Sequence, residues 1–206
     1  MRWMVLAGLM CGMVIVASAC LAGEEEGWIS LFNGKDLTGW KMRNPNAKET
    51  WKANDGVLDN TDKGSDLYTE QKFKDFQLHI EFKVPKGGNS GVYLRGRYEI
   101  QVADSFGGKP EPGSCGGIYG QYAPSENASK PADEWQSFDV TLVGMQLTVL
   151  HNGKKIHDNV TLKGDTGGSM GGKAEDAGPL MLQGDHTKIQ YRNIKVKPIE
   201  AKPVEK

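Results

Sequence analysis

Polar side chains recur at alternate positions in the segment Asn89 to Asp104, NSGVYLRGRYEIQVAD. With the two-residue period of a β-strand, one face is mainly apolar and the other polar. The apolar face consists of Val92, Leu94, Gly96, Tyr98, Ile100 and Val102. The polar face consists of Tyr93, Arg95, Arg97, Glu99 and Gln101. Because a carboxylate exchanges protons and guanidinium groups stabilise oxyanions, the polar face is a candidate active site. The alternative is the solvated face of an antiparallel sheet.

The carboxylates of this segment do not form the pair that ordinary glycoside hydrolysis needs. Retaining glycosidases place two carboxyl groups about 5 Å apart. Here the residue two positions after Glu99 is Gln101, whose amide is neither a nucleophile nor a proton donor of that kind. Asp104 lies five residues after Glu99, so it faces the other side unless a bulge intervenes.

The histidines offer a second candidate. His186 lies beside Gln183 and Asp185 in LMLQGDHTKIQYRN, at a junction of two predicted strands. It could reach a concave sheet face or be a surface-turn residue. Asp185, His186 and a further carboxylate could bind a divalent metal, but no ligand spacing supports this, and we expect no cofactor. His151 and His157 flank a hairpin turn, where we expect them to be solvated.

Short alternating segments separated by turn signals predict an all-β fold with two packed antiparallel sheets, a sandwich or jelly roll. Asp55-Gly56 predicts one hairpin, and Gly144 and Asn152-Gly153 predict a three-stranded meander. A phase slip near Arg192-Asn193 indicates a bulge. Residues 76–84 and the strand that starts at Asn89 are expected to be antiparallel neighbours.

Two long segments rich in glycine do not alternate. For residues 103–134 we predict an ordered loop at the cleft, and for residues 163–179 a mobile flap.

The chain has 206 residues and a formal net charge of -1, which gives no reason to expect a nucleic-acid partner. Residues 1–22 have the basic start, apolar run and small residues of an export signal, which predicts a periplasmic or cell-surface protein. Cys20 follows Ala17-Ser18-Ala19, so either lipid attachment at Cys20 or ordinary cleavage fits. Cys115 would be the unmodified cysteine, which excludes an internal disulfide. The domain is predicted over residues 27–199 and a disordered tail over 200–206.

Four segments together are similar to a known family. They are LFNGKDLTGW, DFQLHIEFKVPKGGNSGVYLRGRYEIQVAD, GGIYGQYAPSENASKPADEWQSFDV and GPLMLQGDHTKIQYRNIKVKPI. From Trp28 to Ile199 the chain resembles the 3-keto-disaccharide hydrolase domain family. The resemblance implies a concanavalin A-like, laminarinase-like jelly roll that cleaves glycosides whose sugar carries a ketone at carbon 3. The last family motif usually reads Leu-Gln-x-His-Gly, whereas this chain has one more residue before His186 and Thr187 after it.

Such a substrate suggests elimination followed by addition of water, because the ketone acidifies the hydrogen on carbon 2. That path needs a base, a donor to the enolate oxygen and an acid for the leaving oxygen. The resemblance therefore assigns base chemistry to Glu99 or His186 and oxyanion stabilisation to Arg95 or Arg97. The predicted catalytic residues are Glu99, His186 and Arg95. The predicted residues that bind a small carbohydrate are Tyr93, Arg97, Gln101, Asp104, Tyr119 and Gln183. A carbohydrate-binding module without turnover and an ordinary glycoside hydrolase are the alternative interpretations.

Overall fold

The structure is a computed structural model that describes residues 26–200. The predicted export signal, Cys20 and the tail beyond Glu200 lie outside these residues. The described residues contain no helix, and therefore none long and apolar enough to cross a membrane. Their strands are β1 (Ile29–Ser30), β2 (Trp40–Met42), β3 (Trp51–Asn54), β4 (Val57–Asn60), β5 (Leu67–Phe73), β6 (Phe76–Lys83), β7 (Asn89–Leu94), β8 (Tyr98–Ala103), β9 (Gln136–Val143), β10 (Gln146–His151), β11 (Lys154–Thr161), β12 (Gly178–Leu182) and β13 (Ile189–Pro198).

The strands form two antiparallel sheets, which confirms the predicted sandwich and jelly-roll class. The larger sheet has the order β11-β10-β9-β6-β13-β4-β3, with β1 paired to β13. The smaller sheet has the order β2-β5-β12-β7-β8.

The core lies between the sheets and is built from the alternating apolar side chains of their strands. Leu78, Ile80 and Phe82 of β6 are buried, whereas the residues between them are partly exposed. The smaller sheet contributes residues that include Val92 and Ile100, both fully buried as predicted. Burial of such a side chain contributes about 1.5–3 kcal/mol, so the alternation itself determines which face of each strand points inward.

Turn chemistry places most strand boundaries where the sequence predicts them. The hairpin of β3 and β4 turns at Asp55-Gly56, and that of β10 and β11 at Asn152-Gly153. All four residues have positive φ, between 47° and 80°, which Gly, Asn and Asp adopt most readily. The register of β13 on β6 shifts between Arg192 and Lys195, which confirms the predicted bulge.

Two predictions about the central segment are wrong. Residues 89–104 are not one strand, because Arg95, Gly96 and Arg97 form the turn between β7 and β8. Arg95 and Gly96 have φ of 53° and 66°, and the Arg97 amide donates to the Leu94 carbonyl over 3.0 Å. In addition, β6 and β7 are not neighbours, since β6 pairs with β9 and β13 in the larger sheet and β7 with β8 and β12 in the smaller one.

The loop over residues 103–134 covers the outer edge of β8. The backbone amide of Gln101 donates to the Gly117 carbonyl over 2.9 Å, and the backbone amide of Tyr119 donates to the Glu99 carbonyl over 3.1 Å. Ile118 also forms a β-bridge with Ile100. These bonds satisfy the edge groups of β8 and hold Tyr119 beside the outer face of the smaller sheet.

Candidate functional site

A cavity of about 280 Å³ lies on the outer face of the smaller sheet, opposite the core. Its floor comes from β7 and β8, and its walls from the segments that follow β8, β11 and β12. We call this cavity the Glu99 cleft. It is lined by Asn89, Tyr93, Glu99, Gln101, Tyr119, Gly167, Gly168, Gln183, Asp185 and His186.

Glu99 lies at the floor of the cleft and is 3% exposed. Tyr93 is its cross-strand partner on β7. The backbone amide of Glu99 donates to the Thr166 hydroxyl over 3.0 Å, so the loop that follows β11 fixes the backbone of Glu99. A methyl group at Gly91 would collide with the Glu99 carboxylate. The glycine therefore gives the carboxylate the space it occupies.

Burial raises the pKa of Glu99 to about 7. The Tyr93 hydroxyl opposes this shift by hydrogen bonding, while the negative charges of Asp66 and Asp185 add to it. Near neutral pH both protonation states of Glu99 are therefore populated, which is the property a general acid or base requires.

Tyr93 connects the floor of the cleft to the loop that forms one wall. Its hydroxyl donates to the Gly167 carbonyl over 2.7 Å and lies 3.4 Å from Nε2 of Gln183, which donates to it. The hydroxyl has one proton, so it can donate either to Gly167 or to Glu99. Burial and the nearby charge of Glu99 raise the pKa of Tyr93, which keeps the phenol neutral.

Two amide side chains offer hydrogen bonds to a ligand. Nε2 of Gln101 donates to Oδ1 of Asn89 over 3.0 Å, which orients both amides. The Oε1 atom of Gln183 is buried and has no hydrogen-bond partner among the described residues. A buried oxygen of this kind is usually satisfied, so a ligand hydroxyl group is a natural donor to it.

His186 and Asp185 stand at the mouth of the cleft, with side chains 44% and 51% exposed. Nδ1 of His186 is hydrogen bonded to the Asp185 carboxylate. When the carboxylate accepts the Nδ1 proton, Nε2 of the neutral ring is left as a proton acceptor. The pair is thus arranged for base chemistry at Nε2.

Asp66 and Arg43 hold two of the segments that form the walls of the cleft. Oδ1 of Asp66 accepts the Gly184 amide over 3.0 Å, and Oδ2 pairs with Arg43 over 3.3 Å. Arg43 also donates to the Gly168 and Ser169 carbonyls. These contacts connect the Gly184 backbone to the loop on the other side of the cleft. Burial raises the pKa of Asp66, and the charge of Asp185 adds to that effect.

Comparison with known proteins assigns the chain to a family. Residues 27–197 match the family described as the 3-keto-alpha-glucoside-1,2-lyase-like domain. The chain belongs to this family. A 3-keto-disaccharide hydrolase from Bacteroides thetaiotaomicron is 34% identical over 94 residues, which are 41% of this chain and 32% of that protein. The match therefore spans about a third of the length of this curated relative.

Solved structures support the same fold. A protein from Parabacteroides distasonis, described provisionally as a glycosyl hydrolase, is 33% identical with a TM-score of 0.71, and the match covers 84% of each chain. The glycoside hydrolase family 16 glucanase SCLam is 10% identical with a TM-score of 0.51, over 84% of this chain and 92% of that one. The second likeness shows the jelly-roll fold alone.

In this member of the lyase-like family, the structure brings together most of the residues predicted from the sequence. Those in the cleft are Glu99, His186, Tyr93, Gln101, Tyr119 and Gln183. Asn89 and the backbone of Gly167 and Gly168 also line it, although no sequence pattern assigned them to a site. Asp185, which the sequence suggested only as a candidate metal ligand, lines it too. Asn89 was accessible to that reasoning, since it begins the same polar strand. Residues 163–179 have no periodicity that could have indicated Gly167 and Gly168.

Arg95, Arg97 and Asp104 do not line the cleft, so the structure does not bring them together with Glu99 and His186. The two arginines belong to the β7–β8 turn, where the strand alternation does not apply, and they line a different cavity. Oδ2 of Asp104 accepts the Gly87 amide over 2.9 Å, which uses the side chain to close the turn before β7.

Two further histidines, His151 and His157, do not line the cleft. His151 and His157 are buried, which contradicts the prediction that they are solvated. Nε2 of His157 contacts the Gly116 carbonyl at 2.7 Å, and His151 packs against Phe82 and Phe138. Within residues 26–200 no group of three or more His, Cys, Asp or Glu side chains is arranged to hold a metal ion.

Proposed function

We propose that this protein is a carbohydrate-active enzyme that cleaves glycosides oxidised to a ketone at carbon 3. The observation that carries the proposal is the combination, in one cleft, of a buried Glu99 with a pKa of about 7 and the His186–Asp185 pair. A module that only binds sugar has no need of a buried carboxyl group with a pKa near 7 beside a histidine that is paired with a carboxylate. The name of the curated relative supports the substrate class.

The proposed reaction is an elimination across carbons 1 and 2. A base removes the proton on carbon 2, and the electron pair moves onto the ketone oxygen as an enolate. The enolate then collapses to a carbon 1–carbon 2 double bond, and the glycosidic oxygen leaves with the bonding pair and takes up a proton. Addition of water across that double bond completes a net hydrolysis, whereas release of the enone ends the reaction as a lyase step.

We assign the base to Nε2 of His186. Its ring is oriented by Asp185, and the imidazolium formed by proton uptake is stabilised by that carboxylate. We assign the acid to Glu99, which is protonated below pH 7 and can give its proton to the leaving oxygen. One group lies at the mouth and the other at the floor, so they approach a bound sugar ring from different sides.

We assign stabilisation of the enolate oxygen to uncharged hydrogen-bond donors of the cleft, instead of to Arg95 or Arg97. The Gln101 side-chain amide and the Tyr119 hydroxyl can donate to the enolate oxygen and to sugar hydroxyls. The unpartnered Oε1 atom of Gln183 can accept a hydrogen bond from a sugar hydroxyl. Selection of a ketone over an alcohol at carbon 3 then follows from the reaction itself, because only the ketone acidifies the hydrogen on carbon 2.

Ordinary retaining hydrolysis remains disfavoured. The two carboxylates that line the cleft are Glu99 and Asp185, and Asp185 is engaged by His186. A covalent glycosyl intermediate needs a nucleophilic carboxylate that is free to attack.

The test is to incubate the purified domain with a 3-keto-disaccharide and with its unoxidised parent. We expect sugar release from the 3-keto compound alone, and loss of that release in the Glu99→Gln and His186→Ala variants. Binding of both compounds without any cleavage would identify the protein as a carbohydrate-binding module instead. Cleavage of the parent at a similar rate would identify an ordinary glycoside hydrolase.

We also propose, from residues 1–22, that the enzyme acts outside the cytoplasm, with Cys20 as the site for a lipid anchor.

A further inference from the structure

A second cavity, of about 410 Å³, lies beside the Glu99 cleft at the β7–β8 turn. We call it the arginine cavity, after Arg95 and Arg97. It is lined by Tyr68, Lys72, Arg95, Arg97, Met170, Gly171, Gly172, Asp176, Ala177, Gly178 and Pro179. None of these residues lines the Glu99 cleft. The segment 167–172 separates the two, because Gly167 and Gly168 line the cleft and Met170 to Gly172 line the arginine cavity.

Both guanidinium groups are held rigidly. Arg95 donates to the Lys74 carbonyl over 2.6 Å and pairs with the Asp75 carboxylate over 3.0 Å. Both arginines also donate to the Ala174 carbonyl, over 3.1 Å from Arg95 and 3.2 Å from Arg97. Arg97 in addition donates to the Asp176 carbonyl over 2.6 Å. Because the two side chains are already ordered, they lose little further conformational entropy when a ligand binds.

The charges of this pair are not balanced. Arg95 has Asp75, but within residues 26–200 no carboxylate lies within salt-bridge distance of Arg97, whose guanidinium contacts backbone carbonyls and the ring of Tyr98. Arg97 is 1% exposed, and its Nε atom is buried without a hydrogen-bond partner in this part of the chain. An uncompensated buried charge with an unused donor is costly unless something supplies the missing acceptor.

The rest of the lining increases the positive charge. Lys72 adds a third cation, and Asp176 is the single acidic residue that lines the cavity. Burial lowers the pKa of Arg95, while the charge of Asp75 opposes this shift and the weaker effect of Arg97 adds to it. Tyr68 and Met170 supply apolar surface next to these charges.

We propose that the arginine cavity binds the negatively charged group of an acidic sugar, a carboxylate or a sulfate ester, next to the cleavage site. The fork geometry of guanidinium groups fits both anions, and Arg97 lines the cavity with a charge that no carboxylate of residues 26–200 pairs with. That the anion is carried by a saccharide rests on the proposed function, since the cavity adjoins the sugar cleft. The positive charge itself does not depend on that function.

The test is calorimetric titration of the full domain at constant ionic strength with glucuronate, glucose 6-sulfate, neutral glucose and inorganic sulfate. We expect at least one acidic sugar to bind, more tightly than glucose and than inorganic sulfate. Arg97→Gln should weaken that binding by roughly ten-fold or more, because it removes charge-assisted hydrogen bonds. Lys72→Gln, at an exposed position, should weaken it measurably without a risk to folding. Lys52→Gln, an exposed lysine on the larger sheet, removes the same charge and should leave binding unchanged.

Several results would overturn the proposal. They are no binding of either acidic sugar, equal binding of neutral glucose, or unchanged binding in both the Arg97→Gln and Lys72→Gln variants. Inorganic sulfate binding as tightly as the acidic sugars would overturn the assignment to a saccharide. None of these sugars has a glycosidic bond to cleave, so the titration does not depend on catalysis in the Glu99 cleft. This measurement therefore stands apart from the cleavage assay, and a failure of one is distinguishable from a failure of the other.

Discussion

Glu99 can act as an acid near neutral pH because its carboxyl group is buried and two further negative charges stand nearby. If it protonates the leaving oxygen, kcat/KM should fall as pH rises through about 7, since the protonated form is lost. The opposite slope, a rise through pH 7, would make Glu99 the base. A pH profile of the wild type and of Glu99→Gln, in which this limb should be absent, distinguishes the two roles.

The leaving group gives an independent check on the same residue. With a 3-keto disaccharide, Glu99→Gln should lower kcat by roughly two to four powers of ten. With a 3-keto nitrophenyl glycoside, whose leaving group needs no proton, the same variant should retain most of its activity above the spontaneous rate. Equal losses on both substrates would contradict an acid role.

At the scale of the strands, the β7–β8 hairpin positions Glu99, and Gly91 leaves room for its carboxylate. A Cβ atom at this position would displace the Glu99 carboxylate. Gly91→Ala should therefore lower kcat by about ten-fold or more, in the range of misplaced catalytic groups, with the strand still paired. Gly113→Ala is the matched control, because a Cβ there meets nothing within 4 Å. Full activity of Gly91→Ala would show that the carboxylate position does not matter.

The same hairpin shows how far the sequence could predict the site. Leu94 and Tyr98 are cross-strand partners separated by three turn residues. Because their positions differ by an even number, even-numbered residues face the core in both β7 and β8. The inward face was thus predicted correctly although the strand was read as continuous. The arginines were misplaced for the same reason, because turn residues have no strand face. The cleft position of His186 depends on how β12 and the Gly184 backbone are held, which alternation cannot specify.

At the scale of the whole molecule, buried histidines make folding depend on pH. His151 is fully buried, and burial lowers its pKa to about 4 from the usual 6.5, with the charge of Lys130 adding to the effect. The unfolded chain binds this proton first, so the stability contributed by His151 is complete above pH 6.5 and is lost as pH falls towards 4. Between pH 6.5 and 5 the expected loss is on the order of 1–2 kcal/mol. His157 acts in the same direction.

Glu99 has the opposite effect on folding. Its raised pKa stabilises the fold fully below about pH 4.5, and that stability is lost as pH rises through 7. The two effects oppose one another in the wild type, so variants are needed to separate them. In urea unfolding at pH 6.5 and 5, His151→Gln should lose less stability on acidification than the wild type, and Glu99→Gln should lose more. Identical pH slopes in all three proteins would refute both assignments.

The central claim is that cleavage proceeds through loss of the hydrogen on carbon 2. The most direct measurement is cleavage of a 3-keto-disaccharide in deuterated water, with deuterium at carbon 2 of the released 3-keto sugar followed by NMR. The same sugar without enzyme, and with His186→Ala, provides the exchange background. We predict that each turnover places one solvent deuterium at carbon 2, or leaves an enone with no hydrogen there. Release of a 3-keto sugar that keeps its original hydrogen at carbon 2 would contradict the elimination and the role of His186 as base.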